Sequence, residues 1–182
     1  MEDYALILDY LPQGHQAQGR FKREPVALAI GDNEFKLLEL IPKSDVLLQI
    51  GQRVYIGKEM EQRVEILHVK RRVGFEDLTS AAQNELPYLV EDIVRVNEAR
   101  FVKFYNESQS ISTRFHMLEL LPGLGKKTMW SIIEERKKSP FLSFLDISKR
   151  LPTVHQPEKL ICKRIELELS NVNEKYRLFV VK

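Results

Sequence analysis

A single cysteine, a single tryptophan and no apolar run of membrane-spanning length show what this chain does without. Cys162 has no second thiol to pair with, so no intrachain disulfide staples the fold, which suits a reducing compartment. No His or Asn stands near it in sequence, and it reads as a core residue. His15, His68, His116 and His155 are scattered without metal-ligand spacing, so no metal and no cofactor is expected. The two candidate carboxylate pairs, Glu65 with Glu76 and Glu134 with Glu135, read as solvated faces. The Gly-x4-Gly-Lys spacing that encircles a nucleotide's phosphates is missing, which excludes that chemistry. The start of the chain, with Glu2 and Asp3, lacks a signal peptide's basic residues, and a cytoplasmic protein is expected. An excess of one charge sign is missing too. A formal net charge of +2 does not by itself imply a polyanionic partner.

What is present is enough for a folded core: 43% hydrophobic residues in 182, sufficient for one large or two small domains. The hydrophobic period changes near Gly74. Before it, Tyr4 to Tyr10, Pro25 to Ile30, Glu34 to Ile41, Arg53 to Ile56 and Val64 to Val69 are short, β-favouring runs separated by Gly31, Pro42 and Gly51. Five such strands predict a small closed barrel over residues 1–73. The stretch from Ile50 to Gly57, a strand entered through a glycine turn, resembles segments of OB-fold domains, and an SH3-like barrel fits the same pattern. Tyr4, Tyr10 and Tyr55 are assigned to the barrel core or its end. Two basic clusters accompany the strands. Arg20, Lys22 and Arg23 surround Phe21 in a long loop suited to holding a nucleic-acid strand, or to mere solubility. Lys70, Arg71 and Arg72 follow the fifth strand and read either as a second contact or as a solvated linker.

After Gly74 a helical period takes over. A short helix is predicted over Asp77 to Asn84, with Thr79 or Ser80 as cap, and a longer one over Leu86 to Tyr105, the two joined by a turn at Asn84-Glu85-Leu86-Pro87. Ser110 to Leu120, Met129 to Arg136, Phe141 to Leu151 and Pro157 to Leu169 follow as helices. Tyr176 to Val181 is β-favouring and is expected to return to the barrel as a covering strand. The predicted architecture is α+β: a barrel over 1–73, a helical domain over 74–156, and a tail over 157–182.

The strongest motif lies between the helices. In Leu121-Pro122-Gly123-Leu124-Gly125-Lys126-Lys127-Thr128, Pro122 and Gly123 end one helix and Gly125 admits a tight turn into the next. The amides of Gly123, Gly125 and the first turn then lack intrahelical acceptors at the positive end of the helix dipole, where an anion satisfies them. Lys126 and Lys127 add formal charge, and the Thr128 hydroxyl is one more donor. From Leu120 to Arg150 seven basic residues face three acidic ones, a local +4. Such a contact holds a phosphate and reads no base edge.

The pattern resembles the helix-hairpin-helix motif of DNA-binding and repair proteins, matching from Leu121 to Gly125 and at Ile132 and Arg136, and departing at Met129, where that motif has a small residue. DNA glycosylases carry the same hairpin with a catalytic Lys and Asp. Lys127 and Asp146 stand nineteen apart, but the Leu-Asp-Ile-Ser context and the short helical region argue against that chemistry, and no catalytic residue is assigned. Over nearly its whole length the chain also resembles an archaeal family, domain of unknown function 655, through the barrel, the Asn84 to Pro87 pair, Leu120 to Lys127, Glu134 to Lys138 and Tyr176 to Val180. That resemblance implies nucleic-acid binding. The expectation is a non-catalytic protein that holds DNA or structured RNA through Pro122 to Thr128, with no membrane and no small-molecule substrate. The alternative is a protein-interaction adaptor. Oligomeric state stays open.

Overall fold

The computed structural model describes residues 2–14 and 24–181. The predicted basic loop, with Arg20, Lys22 and Arg23, lies outside the described residues. The described chain forms two compact units, one of residues 2–14, 24–89 and 168–181, the other of 90–167. The division falls inside two helices rather than at residues 73 and 156.

All five strands predicted in the first unit form: β1 (Tyr4–Leu11), β2 (Val26–Gly31), β3 (Leu37–Pro42), β4 (Arg53–Tyr55) and β5 (Ile66–Arg72). They make one curled antiparallel sheet in the order β4-β1-β2-β3-β5. Alternation sends Ala5, Ile7, Ala27, Ala29, Leu40, Val54 and Ile66 to one interior cluster. Every residue of β2 and β3 is buried, so both sheet faces are covered there. Gly51, at φ +79°, makes the expected turn into β4, its amide donating to the Ile7 carbonyl at 2.7 Å.

Closure is where the expectation fails. β4 pairs with β1 and β5 with β3, both antiparallel, so β4 and β5 run in the same direction at opposite ends of the sheet, with no ladder joining them among the described residues. The sheet is a half-barrel. Arg63 bridges the seam instead: its guanidinium donates to Gly57 O at 2.8 Å, Ile56 O at 3.1 Å and Leu67 O at 3.2 Å. Tyr10 packs on the interior cluster and donates to Val46 O, whereas Tyr4 and Tyr55 stack edge to face with the Arg53 guanidinium 3.5 Å over the Tyr4 ring.

The basic cluster of β5 is largely consumed by the fold. Lys70 and Arg71 both donate to Glu39, which is 1% exposed on β3, at 2.6 and 2.7 Å, and Arg72 donates to Val181 O. Burial pushes the Glu39 carboxyl up, but the hydrogen bonds and charges of Lys70 and Arg71 outweigh it and hold it below its ordinary value of 4.5. Glu39→Gln leaves two cations facing a neutral group and is expected to cost about 2–4 kcal/mol. Because the folded carboxyl titrates below the unfolded one, the stabilisation is present above about pH 4.5 and is lost as pH falls through the folded value. Urea melts of both proteins should converge on acidification.

The helices depart further from expectation. A single helix α1 (Ser80–Val96), capped by the Thr79 hydroxyl on the Ala82 amide at 3.1 Å, runs straight through Asn84 to Pro87, where a turn was predicted. Pro87 sits inside it. Proline removes a helix hydrogen bond at roughly 3 kcal/mol, but Ala82, Leu86, Leu89, Val90, Ile93 and Val94 form one buried stripe on both sides of it, and burying such residues offsets that cost several times over. The break comes instead at Asn97, before α2 (Glu98–Glu107). Ser110 to Leu120, predicted helical, is a two-stranded hairpin, β6 (Ser110–Ser112) and β7 (Phe115–His116), followed by one 3-10 turn, Met117–Leu120. Ser110, Ser112 and Thr113 favour local hydrogen bonding over helix, and the Ser112 hydroxyl accepts from the Arg114 amide. Helices α3 (Lys126–Lys138), α4 (Phe144–Arg150) and α5 (Pro157–Ser170) form close to where predicted.

Tyr176 to Val181 returns to the first unit, but as irregular chain rather than a strand. Its amides are captured by a side chain. Glu168 on α5, fully buried, accepts from Leu178, Phe179 and Val180 N–H at 2.7, 3.0 and 2.9 Å, and Val181 N–H donates to Glu34 O.

Candidate functional site

The Leu121–Thr128 turn lies in the second unit, between the 3-10 turn and α3. Leu121 and Leu124 are buried and anchor it, and the Leu124 amide closes it on the Leu121 carbonyl at 3.1 Å. Gly123 takes φ +86°, which a residue with a Cβ avoids. Gly125 is the N-cap of α3 at φ −83°, ψ 168°, and has no side chain to cap with. Among the described residues nothing accepts from the amides of Gly125, Lys126, Lys127 or Thr128, as expected for the first turn of a helix. A Cβ at Gly123 or Gly125 would meet no atom within 4 Å, so both glycines face open space.

Of the other cations between Leu120 and Arg150, four are tied within the unit: Arg136, Lys137, Lys138 and Arg150. Arg136 donates to Tyr105 O at 2.9 Å and to both oxygens of the buried Ser108, at 3.1 Å (Oγ) and 2.8 Å (O). Burial lowers its pKa. Arg150 donates to the carbonyls of Glu135 and Ser139 at 2.8 Å each and pairs with the side chains of Glu135 and Asp146. Lys137 and Lys138 pair along α3 with Glu134 and Glu135. Lys126 and Lys127 are exposed and have no ion pair among the described residues. Of the seven basic residues counted in this stretch, Lys126 and Lys127 at the turn and Lys149 on α4 are untied among the described residues, and the rest are tied.

Two hollows flank it. One, of about 230 Å³, is lined by Gly123, Thr128, His155, Lys159 and Lys163. Lys159 and Lys163, four apart on α5 and exposed, are residues that motif reasoning missed. A signal was available: Leu151-Pro152-Thr153-Val154 repeats the Leu-Pro-x-apolar pattern of Leu121 to Leu124 thirty residues later, and its turn closes the same way, Val154 N–H to Leu151 O at 2.9 Å. It lacks the glycines. The second hollow, of about 620 Å³, lies on the Lys126 side of α3. On its wall His116 caps the 3-10 turn, its Nδ1 accepting from the Leu118 amide at 3.1 Å, and burial with the Arg136 charge lowers its pKa.

The residues weighed for catalysis are placed otherwise. Asp146 accepts from the Leu142 amide at 3.0 Å and from Arg150 at 3.3 Å within its own helix start. Cys162 is buried, and burial, with Glu91, Glu166 and Glu158 nearby, pushes its thiol up to about 12. No helix among the described residues is long and apolar enough to cross a membrane.

The family described as Protein of unknown function (DUF655) matches residues 1–181. The chain belongs to this family. An uncharacterised protein of Methanocaldococcus jannaschii is 46% identical over 180 residues, covering 98% of this chain and 80% of its own length. A DUF655 protein of Archaeoglobus fulgidus, solved by crystallography, is 48% identical and superposes with a TM-score of 0.90 over 99% of this chain and all of its own. The half-barrel and five helices are therefore similar to an experimentally determined DUF655 structure.

Proposed function

We propose that this protein is a non-catalytic nucleic-acid-binding protein whose Pro122–Thr128 turn acts as a helix-hairpin-helix-type clamp on a backbone phosphate, the first arm shortened to a 3-10 turn. The observation that carries this reading is the contrast at α3: free amides and two free lysines face open space at its start, while the cations at its end are tied internally. An anion placed there meets charge-assisted donors, and the Glu119 carboxylate that lines the hollow beside Lys126 is already held by the His116 amide at 2.8 Å. Lys159 and Lys163, beside Gly123 and Thr128, extend the cationic surface of the same unit. The partner is DNA or structured RNA, since the backbone phosphate that the clamp holds is common to both. Asp146, held by Arg150, supports assigning no lyase role to the Lys127 and Asp146 pair.

A second reading, a protein-docking adaptor, draws on Leu142 and Leu145, 85% and 62% exposed at the start of α4. Salt separates the two. Filter binding to duplex and structured RNA should weaken roughly tenfold or more between about 50 and 200 mM salt, and Lys126→Ala with Lys127→Ala should lower the slope of log K against log salt by about 1.5–2. A slope unchanged in the double variant overturns the clamp.

A further inference from the structure

We propose that the hollow beside Lys126 receives an unpaired nucleobase, so that the hairpin and this hollow together hold a single-stranded nucleotide: phosphate at the turn, base against Trp130. The inference deepens the phosphate-clamp reading and rests on it.

Trp130 is the chain's only tryptophan and is 58% exposed, an unusual position for the largest apolar side chain. It follows Lys126 by four residues on α3, so the two stand on one helix face about one turn, ~5.4 Å, apart. Both line the hollow. Its volume of about 620 Å³ is in the range that admits a drug-sized ligand. Buried Met129 and Ile133 give it an apolar floor, and half-buried Phe115 supplies a second ring.

The rim has the complementary chemistry. Exposed Arg114 and Lys126 place positive charge at the mouth, and the hydroxyls of Ser110 and Thr113 offer donors and acceptors to the edge of a base. Aromatic walls with a cationic rim are how single strands are held without sequence preference, the base stacking and its phosphate paired. An apolar peptide would satisfy Trp130 and Phe115 but would leave Arg114 and Lys126 unmatched. A duplex keeps its bases stacked inside and cannot offer one here.

The lone indole reports directly on the site. Intrinsic fluorescence of the full-length protein is followed while a short single-stranded oligonucleotide, an abasic sugar-phosphate strand of equal length and a duplex are titrated in separately. The expected result is quenching by the base-bearing single strand alone, with the abasic strand bound without quenching when detected by its own fluorescent label. Trp130→Ala should weaken the base-bearing strand about tenfold and leave the abasic strand unchanged, and Trp130→Phe should recover most of the loss. Equal quenching by abasic strand or duplex, or equal weakening of both strands in Trp130→Ala, overturns the base pocket while leaving the clamp intact. Failure of the abasic strand to bind overturns the clamp and this inference with it.

Discussion

A Gly125→Val protein is expected to fold with stability within about 1 kcal/mol of the parent and to lose at least tenfold in nucleic-acid affinity. The two halves of this result have separate causes. The backbone at Gly125, φ −83° and ψ 168°, is extended and open to any L-residue, and an added Cβ meets nothing within 4 Å. The structural cost is limited to exchanging a tolerated N-cap for a poor one. The same branched side chain, however, fills the space in front of the free amides of α3. Losing one or two hydrogen bonds to a charged group, at about 1.5–3 kcal/mol each, is a tenfold loss or more. Calorimetric unfolding alongside filter binding separates the two. Unchanged binding by a folded Gly125→Val protein would show that no ligand approaches there. Gly123→Val is a poor substitute, because φ +86° strains any side chain and mixes stability with binding.

Glu168→Ala should cost about 3–5 kcal/mol and release the tail. The fully buried carboxylate accepts three amides, and removing it takes that acceptor from Leu178, Phe179 and Val180 in an apolar setting. Three unsatisfied amides would cost more than the tail's docking returns, so the tail escapes to water. The penalty is then set by the exposure of Phe179 and Val180, now 7% and 4% exposed, at about 1.5–3 kcal/mol each. Hydrogen exchange at residues 178–180 should accelerate together. Glu168→Gln keeps one oxygen able to accept two amides but turns a donor toward the third, and should fall between. Slow exchange retained in Glu168→Ala would show that apolar packing alone holds the tail.

The strands and the Leu121–Thr128 turn were legible because their signals are local. Period-two runs separated by glycine and proline specify strands wherever they pack, and Leu-Pro-Gly-Leu-Gly carries its own backbone requirements, Gly123 at φ +86° among them. The errors lie where distant residues outvote local preference. Pro87 reads as a boundary until a buried stripe from Ala82 to Val94 carries the helix through it. Tyr176 to Val181 has strand composition, yet a carboxylate eight residues before that segment takes its amides before any ladder can.

By itself the sequence determined the five strands, most helices and the position of the Leu121–Thr128 turn, because each depends on spacing within a few residues. Only the tertiary structure decided that the barrel stays half open, which depends on strand direction across the whole sheet. It also decided which cations are free. Lys70, Arg71, Arg136 and Arg150 read in the sequence like Lys126 and Lys127, and what separates them is whether a buried carboxylate or carbonyl from elsewhere in the chain lies within hydrogen-bonding reach.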